Sequence, residues 1–193
     1  GTNSLYDTVL VTNGVYNAGG AITPGYTLPC RVVITNDIVV RSVNGADATI
    51  IEGPGTNSYD TARAMRCVYM SKGLVDGFCV RYGSTKRVAN NSDDYGAGVS
   101  MYSASASTEI RNCVLQNNRG KIGGGAYGGK ITACLFLNNR SMYGGGANSS
   151  TLVSCELIGN SAVDAGDSPG GGASGCTLTD CLIANNYASY YGG

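Results

Sequence analysis

Apolar and polar residues alternate along this chain in short runs, and in the C-terminal half the runs share one frame. The stretches "TEIRNCVLQNN", "KITACLFLNN", "TLVSCELIGN" and "TLTDCLIANN" align on Cys113, Cys134, Cys155 and Cys181, at intervals of 21, 21 and 26 residues. Three residues before each cysteine stands an apolar residue: Ile110, Ile131, Leu152 or Leu178. Two residues after it stands another, Leu115, Phe136, Leu157 or Ile183, and five after it an asparagine, Asn118, Asn139, Asn160 or Asn186. Alternation over such short runs predicts β-strands, and helix signals are nearly absent. Glycine triplets separate the runs, at Gly123 to Gly125, Gly144 to Gly146 and Gly170 to Gly172, each passing into alanine. The extra residues of the longest interval fall mostly in "VDAGDSPG", a turn-rich insertion able to loop out.

A unit of about twenty residues with two or three short strands and Gly/Asn corners is one coil of a parallel β-helix. The expected fold is therefore all-β: a right-handed parallel β-helix of about seven coils, a single domain over residues 1–193. Coils stack at about 4.8 Å, so equivalent residues form ladders. Cys79, Cys113, Cys134, Cys155 and Cys181 are expected to form an interior column, with cysteine acting as a small hydrophobe. Leu115, Phe136, Leu157 and Ile183 form the next column. Asn118, Asn139, Asn160 and Asn186 stack at a corner, where Asn tolerates left-handed backbone and its amide bonds the adjoining coil. Upstream the pattern loosens. "LVDGFCVRYG" carries Cys79, "YGAGVSMY" replaces a glycine triplet, and "STKRVANNSDD" is inserted between them. "NDIVVRSVNGADATIIEG" with "RAMRCVYMS" predicts three strands of one longer coil, and "DTVLVTNGVYN" with "RVVITN" another. Residues 1–78 thus hold irregular longer coils and residues 79–193 regular ones.

"GGGA" followed by "LFLNN", "LIGN" or "LIANN" resembles the GGA(I/L/V) and FxxN repeats of polymorphic outer-membrane proteins and related bacterial surface β-helix passengers. "DTVLVTNGVYN" to "VVRSVNGADATIIEG" resembles the opening coils of pectate-lyase-like right-handed β-helix proteins. The resemblance spans most of the chain, although the strict Phe of the repeat occurs only at Phe136. It implies an extracellular or bacterial cell-surface location. It also raises the possibility of polysaccharide cleavage, which such helices perform with carboxylates that hold Ca²⁺ and a Lys or Arg base.

The last run, "NNYASYYGG", stops after two glycines. Joined to the first residues it reads YYGGGTNSL, close to "MYGGGANSS" from Met142 to Ser150. From Cys181 through Gly193 and on to Leu10 is 22 residues, near the length of a regular coil. Tyr190, Tyr191, Gly192 and Gly193 of one unit, with Gly1, Thr2, Asn3, Ser4, Val9 and Leu10 of the next, are therefore expected to build an inter-unit junction. One long tandem polypeptide satisfies this. So do separate chains stacked head to tail, a heterologous contact that propagates into a filament. With Gly1 in place of Met, the chain reads as a mature or excised segment.

Composition narrows the chemistry. Thirteen basic and thirteen acidic residues balance, which argues against a nucleic-acid partner. No run of eighteen apolar residues is present, so no membrane insertion is expected. Without histidine there is no Ser/His or Cys/His nucleophile, and "GGGAYGGK" lacks the spacing of a phosphate loop. CxxC zinc pairs are missing too, so neither cofactor nor metal is expected. Asp76, Glu109, Glu156 and Asp180 share no column. Asp93, Asp94, Asp164 and Asp167 read as solvated turn acids, and Arg81 and Arg111 have no evident carboxylate partner. Ladder cysteines point the same way and read as free thiols; Cys30 and Cys67, before comparable strands, are the pair expected for a disulfide. Val114, Leu135, Glu156 and Leu182, each one residue after a ladder cysteine, are expected to face outward. Tyr95, Tyr127, Tyr143, Tyr187, Tyr190 and Tyr191 lie beside glycine corners, placed either to stack on sugars or to pack on flat glycine surface. Asn90, Asn139 and Asn148 begin N-x-S sequons. The expected role is a non-enzymatic structural or adhesive module of a fibre or stalk, whose partner is itself. The alternatives are a polysaccharide-binding passenger domain and a polysaccharide lyase-like enzyme.

Overall fold

The computed structural model describes residues 7–55, 62–86, 92–102, 104–163 and 167–192. The chain winds into a parallel β-helix, laying its strands in rotation on three sheets of seven strands each. The first sheet holds Asp7–Val11, Ile38–Ser42, Leu74–Asp76, Glu109–Arg111, Lys130–Thr132, Thr151–Val153 and Thr177–Thr179. The second holds Gly14–Tyr16, Thr49–Glu52, Cys79–Arg81, Val114–Gln116, Leu135–Leu137, Glu156–Ile158 and Leu182–Ala184. The third runs from Ala21–Ile22 through Pro29–Ile34, Arg66–Met70, Val99–Ser100, Ala126–Tyr127 and Ala147–Asn148 to Ala173–Ser174. A short fourth sheet joins Arg140–Ser141, Ser161–Ala162 and Tyr187–Ala188. Pairing between these strands is parallel, except where Ala21–Ile22 turns back antiparallel onto Pro29–Ile34.

Because side chains alternate across a strand, each sheet sends every second residue inward. The first sheet stacks Val75, Ile110, Ile131 and Leu152. The second stacks Ile51, Val80, Leu115, Phe136 and Leu157. The third contributes Val68, Val99, Ala126 and Ala147, all fully buried. The small alanines leave room for Phe136, which lies close beside Gly125 of the neighbouring coil.

Sharp corners require left-handed backbone, and the chain places it in columns. Between the first and second sheets the residues with positive φ include Gly77, Asn112, Ala133, Ser154 and Asp180. After the second sheet they include Tyr82, Asn117, Asn138, Gly159 and Asn185. The ladder asparagines Asn118, Asn139, Asn160 and Asn186 each follow the left-handed residue and are not left-handed themselves, which corrects the expectation for them. The glycine triplets serve two needs. Gly123, Gly144 and Gly170 take φ of 64° to 67°, whereas Gly124 is required by closeness: a Cβ there would lie 2.4 Å from the Gly145 carbonyl oxygen.

Two interior ladders close the corners. Cys113, Cys134, Cys155 and Cys181 each donate S–H to the carbonyl two residues back, at 3.1 to 3.3 Å. The Sγ of Cys134 accepts the Cys113 N–H at 3.4 Å. In the asparagine ladder, Asn139 Oδ1 accepts both the N–H and the Nδ2 of Asn118, at 3.1 and 3.0 Å. Asn139 Nδ2 donates back to Leu115 O at 2.8 Å and onward to Asn160 Oδ1 at 3.0 Å. The same set repeats from Asn160 to Asn186.

Candidate functional site

The outer face of the third sheet gathers the aromatic residues. Its outward positions run in register through Tyr69, Ser100, Tyr127 and Asn148. Tyr95 follows the short 3-10 turn Ser92–Asp94 and stacks on Tyr127, with ring centroids 4.4 Å and planes 11° apart. Tyr102 tilts against both rings, at 5.3 Å from Tyr95 and 6.1 Å from Tyr127. Burial, reinforced by Tyr127 and Tyr102, pushes the Tyr95 phenol above its ordinary value. The phenol therefore stays a neutral hydroxyl.

A groove of about 600 Å³ opens beside these rings. Tyr102 and Tyr127 line one part, Ser105, Thr108, Ser149 and Thr151 supply hydroxyls, and Gly128 and Gly129 are also part of the lining. The segment from Ala104 to Thr108 forms a wall. It is anchored by Ser105 N–H to Ser71 O at 2.9 Å and by Thr108 Oγ1 to Ser71 O at 3.0 Å. Gly129 has φ of 66°, and a Cβ there would come 2.3 Å from Met101 Sδ, so glycine leaves room for the Met101 side chain beneath the groove. Lys130 is the charged side chain of the lining, and its Nζ lies 3.5 Å from Glu109.

Elsewhere the charges knit coil to coil. Asp76 sits between Arg41 and Arg111 in one outward column of the first sheet. Burial alone would raise its carboxyl, but hydrogen bonds from Asn112, Arg111 and Arg41 hold it below the usual range. Arg81 pairs with Glu52 one coil back. Both arginines thus have carboxylate partners, contrary to the expectation from sequence: the partners are distant in the chain but adjacent across the stack. Asp93 and Asp94 are likewise buried rather than solvated. Asp93 accepts from Thr27 and Leu28 and pins the 23–28 loop, while Asp94 accepts from Lys121 at 2.8 Å. Among the described residues, no three His, Cys, Asp or Glu side chains are grouped to hold a metal.

The thiols need two corrections. Cys79 does not join the cysteine column: it pairs in register with Val114, on the outer row with Val15, Ile50, Leu135, Glu156 and Leu182. Phe78 takes the interior place beside Cys113, because Gly77 is the left-handed corner there. Cys30 and Cys67 form no disulfide. Cys30 lies opposite Arg66, one position out of step with Cys67, so the two thiols leave opposite faces of the sheet. Cys30 contacts Thr23 and Arg66 beneath the 23–28 loop, whereas Cys67 is in the core. Burial pushes the Cys67 thiol up to about 12 and raises Cys134 and Cys155.

Among the described residues, both edges of the stack expose apolar side chains. At one edge Val9, Leu10, Val15 and Tyr16 are exposed, and at the other Leu178, Leu182, Ile183, Tyr187, Tyr190 and Tyr191. Register places Val9 in the inward column that ends at Leu178. Leu10 belongs to the outward column of Arg41. Gly192, with φ of 59°, continues the glycine corners, and its carbonyl accepts the Gly171 N–H at 3.0 Å. Gly1, Thr2, Asn3, Ser4, Gly193, Asn90 and Asp164 lie outside the described residues. Asn139 is fully buried, so its sequon is internal. No protein-family model matches this chain, and neither a curated protein nor a solved structure matches it.

Proposed function

We propose that this chain is a structural and adhesive module of an extracellular or bacterial cell-surface fibre or stalk, whose partner is a further coil of its own kind stacked head to tail. The observation that carries this reading is the complementarity of the open edges. Val9 begins the column that ends at Leu178, and Tyr16 begins the one that ends at Ile183. All four side chains are exposed. A coil laid over either edge removes them from water and gains ladder hydrogen bonds on the first two sheets. On the third sheet the antiparallel strand Ala21–Ile22 occupies the edge, so the continuation runs through the other two. The asparagine ladder adds direction: Asn160 donates its N–H and Nδ2 to Asn186 Oδ1, and a further coil would offer Asn186 the same acceptor. The repeat's resemblance to surface β-helix passengers supports the location. In this reading the module performs no catalysis.

Electron microscopy of the native material, with mass measured under denaturing conditions, tests the proposal. Seven strands per sheet at about 4.8 Å give an axial repeat of about 34 Å. Filaments with that repeat support it. A denatured mass near 19.7 kDa then means stacked subunits, and a much larger one a tandem polypeptide. Isolated, monodisperse monomers at high concentration refute it.

A further inference from the structure

We infer that the groove beside Tyr102 and Tyr127 binds a neutral oligosaccharide. Its volume of about 600 Å³ lies within the range of small-molecule sites. Three successive coils contribute to it, through Met101, Gly128 and Ser149 among others. Two coil intervals span about 10 Å, enough for a short run of sugar rings and too little for a protein domain.

The lining decides the ligand class. A pyranose presents flat C–H faces bordered by hydroxyls. The rings of Tyr102 and Tyr127, packed with Tyr95 into one aromatic cluster, line the groove beside the hydroxyls of Ser105, Thr108, Ser149 and Thr151. Among the described residues no carboxylate lines it and its one cation, Lys130, lies 3.5 Å from Glu109, so the lining offers a cationic ligand no partner and a strongly anionic one only a cation already paired. An extended peptide is also a poor fit. The groove crosses strands whose backbone groups already pair coil to coil, leaving no free edge for strand addition. The site is independent of the open ends, so it stands or falls apart from the fibre reading.

The test is isothermal titration of the full chain with cellohexaose, mannohexaose and chitohexaose, and with hexagalacturonate as the charged control. Saturable binding of at least one neutral probe at millimolar concentration is expected, with hexagalacturonate weaker. Tyr102→Ala should weaken it roughly tenfold by removing one stacking face. Thr151→Arg, at an exposed strand position, should block the groove without touching the core. It keeps the test valid if the tyrosine variant folds poorly. Silence from all three neutral probes, binding of hexagalacturonate alone, or wild-type affinity in folded Thr151→Arg protein overturns the assignment. Filaments seen by microscopy should persist in both variants, which separates this outcome from that of the fibre reading.

Discussion

Replacing Asn139 with alanine removes four hydrogen bonds at once from a fully buried site. Asn118 N–H and Nδ2 lose their shared acceptor, and Leu115 O and Asn160 Oδ1 each lose a donor. The Asn118 N–H and one hydrogen of its Nδ2, whose other hydrogen stays on Val80 O, are left unpaired in a dry interior, where each costs about 1–3 kcal/mol. With the small void left behind, the loss should total about 3–6 kcal/mol, a large part of the stability of an ordinary domain. Asn186→Ala is the internal control. In the single, unstacked chain it breaks three bonds of the same ladder, but at a half-buried position where water substitutes, so it should cost about 1–2 kcal/mol. Urea unfolding followed by circular dichroism reads the difference. Since stacked repeats need not unfold in two states, amide exchange at Asn118 and Asn160 should accompany it. Asn139→Ala within about 1 kcal/mol of wild type, or no worse than Asn186→Ala, would refute the claim that the carboxamides hold the coils together.

Leu157→Asp should unfold the stack, because an unpaired carboxylate in that column costs at least about 3–5 kcal/mol; a soluble variant with a native β spectrum contradicts the inward placement of Leu157. Asp76 links stability to pH. Its folded pKa is depressed, so its contribution is complete above the unfolded value near 3.9 and is lost as pH falls through the lower folded value. Asp76→Asn should therefore lose stability at neutral pH and show a shallower acid decline in thermal melts; an unchanged acid limb would mean that Arg41 and Arg111 do not bind the carboxylate tightly. Iodoacetamide should leave the six buried cysteines of the native protein unmodified and label all eight in urea without reductant. Labelling of only six in urea would indicate a disulfide.

The regular coils were readable because their spacing carries the geometry directly. Ile110, Cys113, Leu115 and Asn118 recur at fixed offsets, and each offset is a corner or an inward position. The same rule would have placed Phe78 correctly. Three residues before Cys79 stands polar Asp76, whereas three before Phe78 stands Val75 and two after it Val80. Identity with the other cysteines outweighed that signal. Other features had no local trace. Asp76 meets Arg111 because one coil is 35 residues long there, and an insertion of variable length hides such a register. The groove depends on a wall, residues 104–108, whose position is fixed by hydrogen bonds to Ser71 rather than by any pattern of its own. Cys30 and Cys67 misled for the opposite reason: similar strands follow both, but one step of register separates the faces on which their thiols emerge.

The asparagine ladder gives the rod a sense. Every bond between its carboxamides runs from donor to acceptor toward the later coil, so their dipoles add instead of cancelling. At the late end Asn186 Nδ2 donates back to Leu157 O, whereas at the early end Asn118 Oδ1 accepts the Gly83 N–H at 2.8 Å, so the earlier coils close the column there. Two columns meeting by their Asn186 ends would oppose amide hydrogens, so a symmetric two-fold contact through that edge is disfavoured. In the proposed head-to-tail stack, each added unit would meet this column in the same donor-to-acceptor sense.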